Sequence, residues 1–284
     1  MRDHVKEFRL ATMCRVLKVE RSGYYAWRTS PLSARAKSDQ RLLGLIKQSW
    51  IESGGVYGHR KIAKDLRELG ESCSRHRVAR LMKIEGLRSQ VGYGKRPRYR
   101  GGAPGVVAEN ILARAFTVDK PNRAWVTDIT YIRTYEGWLF LAVVLDLYSR
   151  QIVGWAMRST QHTDVVLQAL LAAVWRRKPK AGLVLHSDQG SQFTSEEWQA
   201  FLKAHGIICS MSRRGNCHDN AVAESFFQLL KRERIKRKIY NTHADARADV
   251  FNYIEMFYNP KRRHGSNGGL SPVEFEKQLV ESGS

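Results

Sequence analysis

Apolar residues fall at helical spacing along the first ninety positions, then switch to strand spacing past a stretch rich in Gly and Pro. Phe8, Leu10, Met13, Val16 and Leu17, followed by Tyr24, Tyr25 and Trp27, predict two short helices parted by Ser22-Gly23. That pair is either a helix-turn-helix or a small helical hairpin packed on its neighbour. Leu42, Leu45, Ile46 and Trp50 fit one face of a longer helix. Tyr57-Gly58-His59-Arg60 leads into a helix carrying Ile62, Leu66 and Leu69 and ended by Gly70. Ser74 can cap the next helix, which turns Val78, Leu81 and Met82 inward and leaves Arg75, Arg77, Arg80 and Lys83 outside. Two short helices joined by a tight turn, the second one basic, match a DNA-reading helix-turn-helix.

From position 124 the period is two. Residues 125–134 and 138–146 predict strands about a hairpin turn at Tyr135-Glu136-Gly137, and 152–156 a third strand. Thr163 is the expected cap of an apolar helix over 165–175. Residues 183–186 form an apolar strand of the kind buried on both faces. A helix over 196–205 points Trp198, Phe201 and Leu202 inward, and 207–211 is a last strand. The order βββαβαβα describes a mixed five-stranded α/β sheet flanked by helices. A helix from Asn220 is expected to run through the basic stretch 231–238. A second, over 244–258, packs through Val250, Phe251, Tyr253, Ile254 and Phe257. A short one begins with Pro272 in its first turn.

The domains so predicted are 1–35 (amino-terminal helical segment), 36–90 (DNA-binding, helix-turn-helix-like), 91–119 (basic Gly/Pro linker), 120–240 (catalytic core) and 241–284 (basic helical extension).

Charge narrows the partner. The 284 residues carry a formal net charge of +21, which calls for a polyanion, and nucleic acid fits better than a membrane surface. No apolar run reaches membrane-spanning length and no signal-peptide pattern opens the chain. Cys14, Cys73, Cys209 and Cys217 are scattered without a Cys-x-x-Cys pair, which argues against a zinc knuckle or a disulfide framework. The expected setting is a reduced one, cytoplasmic and nucleoid-associated. In the linker, Lys95, Arg96 and Arg98 alternate with Tyr93 and Tyr99, a pattern suited to following a phosphate backbone. Arg213 and Arg214, in a polar loop, and Asn220 just after it are further expected DNA contacts.

Three acids carry the chemistry. Asp128 sits within a β-branched, aromatic strand, Asp188 follows an apolar strand at a Gly-bearing turn, and Glu224 lies one turn into a helix. Between the last two lie 224 − 188 − 1 = 35 residues. Acids on apolar elements are costly unless a cation sits between them, and two Mg²⁺ ions (Mn²⁺ as substitute) suit three carboxylates. Asp146 and His186 read as structural, and Asp219 as a helix cap.

As a set, Trp125-x-x-Asp128-Ile129-Thr130-Tyr131, His186-Ser187-Asp188-x-Gly190-Ser191-Gln192-Phe193 and Asp219-Asn220-Ala221-x-x-Glu224-Ser225-Phe226-Phe227 resemble the motifs of insertion-sequence transposases of the OrfB type. The spacing resembles their Asp-Asp-35-Glu core, shared in outline with retroviral integrases. That resemblance implies a ribonuclease H-like fold, with Asp128, Asp188 and Glu224 as catalytic metal ligands. It also implies cleavage of double-stranded element ends and joining of the 3′-hydroxyl to target DNA. It assigns Lys231 to DNA near the cleaved bond, and implies a homo-oligomer on DNA and a frameshifted fusion to an upstream reading frame. A two-metal nuclease without strand transfer and a DNA-binding regulator with an idle core are the alternatives.

Overall fold

The computed structural model describes residues 1–89, 108–112, 117–212 and 220–282, which fall in two compact units, Met1–Ser89 and Gln90–Ser284.

The first unit is all helical: α1 (Leu10–Val16), α2 (Arg21–Thr29), α3 (Ala34–Glu52), α4 (His59–Glu68) and α5 (Arg75–Ile84). The break between α1 and α2 does not fall at Ser22-Gly23, which lie inside α2. It falls earlier, where Lys18 takes a left-handed φ of 53°. Helices α3, α4 and α5 share a core of Leu42, Ile46, Ile62, Ala63, Leu66, Val78, Leu81 and Met82. Leu69 lies outside it, because α4 has ended and Gly70 turns the chain at φ 84°. Ser74 caps α5 as expected, its Oγ accepting from the Arg77 N–H at 3.2 Å.

The second unit is a five-stranded sheet in the order β3-β2-β1-β4-β5. Its strands are β1 (Ala124–Thr134), β2 (Gly137–Asp146), β3 (Ile152–Arg158), β4 (Val184–Ser187) and β5 (Ile208–Met211). The first three are an antiparallel meander, and β4 and β5 add in parallel beside β1. This is the mixed sheet that the element order predicts, in the ribonuclease H-like form that the resemblance implies. Helix α6 (Thr163–Arg177) lies so close on β3 that a methyl group at Gly154 would stand 2.2 Å from the Ala169 carbonyl oxygen. His162, not Thr163, holds the α6 N-cap, without a side-chain bond. Helix α7 (Glu196–Ala204) follows β4, and its Trp198 and Leu202 join the same core as Trp125, Val144 and Leu170.

Helix α8 (Ala221–Glu233) packs across β1. It stops well short of the expected 238, because Glu233 turns inward to the Arg262 guanidinium (2.6 and 2.9 Å) and the Tyr253 hydroxyl (2.6 Å). The next helix is α9 (His243–Phe251), which continues as a π-helical stretch, Asn252–Tyr258. Phe251 faces outward, while Tyr253, Ile254, Phe257 and Tyr258 are buried. Helix α10 (Pro272–Ser282) closes the described chain.

Asp146 and His186 are structural here. Asp146 is fully buried and accepts from the Asn122 and Tyr148 N–H groups (2.7 and 2.8 Å) and the Trp125 indole (3.1 Å). His186 is held between the hydroxyls of Ser210 (2.9 Å) and Ser212 (3.0 Å).

Candidate active site

The sheet register aligns the two aspartates. Ala124 pairs with Val184 and Val126 with His186, an offset of 184 − 124 = 60. Asp128 and Asp188 keep that offset (188 − 128 = 60), Asp128 in β1 and Asp188 just past the end of β4, both beyond the last pair of the ladder. The Oδ1 of Asp128 accepts from the Ile129 N–H (2.7 Å), and the Oδ1 of Asp188 from the Gly190 N–H (3.0 Å). Gly190 allows that second bond, since a Cβ there would stand 3.0 Å from the same oxygen.

Glu224 arrives from above. Asn220, the N-cap of α8, donates its side-chain amide to the Thr127 carbonyl at 3.2 Å, which ties the start of the helix to the strand bearing Asp128. Burial pushes the half-buried Asp128 carboxyl up to about 8, helped by the negative charges of Asp188 and Glu224; its Ile129 bond and the Lys231 charge pull the other way. Asp188 is also pushed up by the surrounding protein, but its side chain is exposed and water limits the effect. Three carboxylates thus share one field, opposed by Lys231.

Among the described residues no three His, Cys, Asp or Glu side chains stand close enough to cage an ion as they are placed. The donor set still suits a hard divalent cation in kind: its side-chain donors are all carboxylate oxygens, and two of the acids are fixed through one oxygen each. Among the described residues, the buried Asn220 Oδ1 and Thr127 Oγ1 have no hydrogen-bond partner.

Lys231 lies two turns past Glu224 on α8, with its ammonium 4.8 Å from the centre of the exposed Tyr131 ring. The seat formed by Tyr131 was not foreseen from the sequence, where this residue closes the Trp125–Tyr131 motif with no role of its own.

The remaining expected DNA contacts divide. Asn220 is 5% exposed and its side-chain amide donates to the Thr127 carbonyl, which fastens the start of the helix. Arg77 and Arg80 both grip Asp39 (2.7 and 2.6 Å), a carboxylate partner from α3 that the helical periodicity did not reveal. Their guanidiniums nonetheless line a cleft of about 610 Å³ with Arg35, Ser38, Ser74 and His76. Arg75 is exposed beside His76. Lys95, Arg96, Arg98, Arg213, Arg214 and Asp219 lie outside the described residues.

Residues 118–217 match the family described as Integrase core domain, 224–280 a second family of that description, and 37–96 the HTH-like domain. Transposase InsF for insertion sequence IS3A of Escherichia coli (strain K12) is 42% identical over 97% of this chain and 96% of its own. The insertion element IS600 uncharacterized 31 kDa protein of Shigella sonnei is 39% identical over 94% and 98%. Among solved structures, the catalytic core domain of BIV integrase is similar at 19% identity and a TM-score of 0.43, over 57% of this chain and 98% of that one.

Proposed function

The chain belongs to the insertion-sequence transposases built on an integrase core domain, and on that premise we propose that it cleaves element ends and joins each freed 3′-hydroxyl to a target phosphodiester. The observation carrying this reading is the placement of Asp128 in β1, Asp188 just past the neighbouring strand at the same register offset, and Glu224 in the first turn of the helix that Asn220 ties to β1. A half-buried carboxylate flanked by two others is unfavourable alone and favourable around cations.

In this reading Asp128, Asp188 and Glu224 hold two Mg²⁺ ions, for which Mn²⁺ can substitute. The ions, when bound, supply activation of the attacking oxygen and stabilisation of the leaving one. The protein's own contribution is placement. The backbone bonds to Asp128 and Asp188 orient both carboxylates, and the Asn220 fastening sets the height of Glu224 over β1. Lys231 lies over Tyr131 close enough to offset the charge of a phosphate drawn to the acids. In-line displacement at phosphorus needs no protein nucleophile, so no covalent intermediate enters.

Arg75, Arg77, Arg80, Lys95, Arg96, Arg98, Arg213 and Arg214 serve as phosphate contacts along double-stranded DNA, element end and target alike. The working form is a homo-oligomer on DNA, with a fusion to an upstream-frame product as the complete enzyme. The test is joining of labelled element ends to plasmid with Mg²⁺, comparing this chain with the fusion. Joined product from either supports strand transfer. Cleavage without joining means a nuclease, and binding without nicking means a regulator.

A further inference from the structure

Past Ser187 strand β4 stops, and β1 runs on from Asp128 to Thr134 without it. Beyond that point the β1–β2 hairpin carries large aromatics that the core does not use. Tyr131 is 57% exposed, Trp138 49% and Tyr135 74%. Scattered surface aromatics need no explanation, but these are clustered. The Tyr131 and Trp138 rings meet at 5.1 Å and 86°, so the pair forms a floor and a wall at right angles. Lys231 lies over the Tyr131 ring, and exposed Arg133 is the cross-strand partner of Trp138. Tyr131 is three residues from Asp128 along the same strand, roughly 10 Å by rise, with its side chain on the other face; Lys231 links the two, its ammonium over the Tyr131 ring and its charge acting on Asp128.

Aromatic faces interleaved with cations are the recognition chemistry of unpaired nucleotides: the ring stacks a base while the cation takes its phosphate. A duplex keeps its bases stacked inside, so a notch of this kind suits a strand whose end has opened. We propose that Tyr131 and Trp138 form a stacking platform for one unpaired base next to the scissile phosphate, with Lys231 on the phosphate that carries it. The Lys231 side of Tyr131 is taken, which leaves the indole of Trp138 as the main stacking surface. This rests on the transposase reading, since it needs a scissile phosphate at the acids.

The experiment places 5-iodouracil at each nucleotide flanking the cleavage position of an element-end duplex. The full chain is bound, irradiated with long-wavelength ultraviolet light, and the crosslinked peptide mapped by mass spectrometry. Crosslinks on Trp138 or Tyr131 at one position, lost in Trp138→Leu and kept in Trp138→Phe, are expected. Trp138→Leu should also lower joining by about 10- to 100-fold, with Trp138→Phe much closer to the wild type. Crosslinks that map elsewhere at every position overturn the platform, as does joining by Trp138→Leu at the wild-type level. Should Trp138→Leu fail to fold, the wild-type crosslink map decides alone. Normal joining by Asp128→Asn would sink the transposase chemistry instead, and that outcome is separate from the crosslink map.

Discussion

Asp128 is held where its charge is least welcome. Its folded carboxyl, pushed up to about 8 from an ordinary 3.8 by burial and two neighbouring acids, binds a proton that the unfolded chain has released. The sign follows: this group's contribution is full below about 4 and is lost as pH rises toward 8. Cation-free wild-type protein should therefore lose thermal stability across that window relative to Asp128→Asn, and Mg²⁺ should raise the melting temperature of the wild type only. Melts of both proteins from pH 4 to 8, with and without Mg²⁺, check it; parallel curves would mean the acid is not under strain. Asn220 allows a second residue-scale prediction. Losing its bond to Thr127 costs about 1 kcal/mol of stability. Yet Asn220→Ala should lower joining on the order of 100-fold, since Glu224 loses its fixed height. A melt and a joining assay on one preparation separate the two effects.

At the scale of elements, periodicity made the βββαβαβα order and the inward faces of α5 and α7 legible. The three acids stood out as candidates because each interrupts an apolar pattern, Asp128 inside β1, Asp188 just past β4 and Glu224 in the first turn of α8. What periodicity missed were partners distant in sequence. Helix α8 stops at Glu233 because Arg262, 29 positions on, takes that carboxylate; Arg77 and Arg80 turn to Asp39, about forty positions back. The basic stretch beyond Glu233 and the arginines of α5 therefore looked more alike in sequence than they are in space. Burial alone would raise the Glu233 carboxyl, but the Arg262 and Tyr253 bonds hold it below its usual value. That contribution is present above about 4.5 and lost as pH falls through the lowered value. Glu233→Gln leaves Arg262 buried without its counter-charge and should cost about 3–5 kcal/mol by denaturant titration at pH 7. Gly154→Ala tests the α6–β3 contact: a Cβ 2.2 Å from the Ala169 carbonyl forces the helix off the sheet, at about 3 kcal/mol or more.

For the whole molecule, net charge and chemistry act at different ranges. The +21 excess sets affinity through many phosphates, so binding should weaken steeply and log-linearly with salt, and a flat profile would count against a basic DNA surface. On the proposed chemistry the three acids contribute little to that affinity and all of the turnover. The most direct test is therefore Glu224→Gln, with DNA binding and Mg²⁺-dependent joining of element ends measured on the same protein. Joining should vanish while affinity stays close to that of the wild type. Joining that survives, or affinity that collapses with it, would contradict the account.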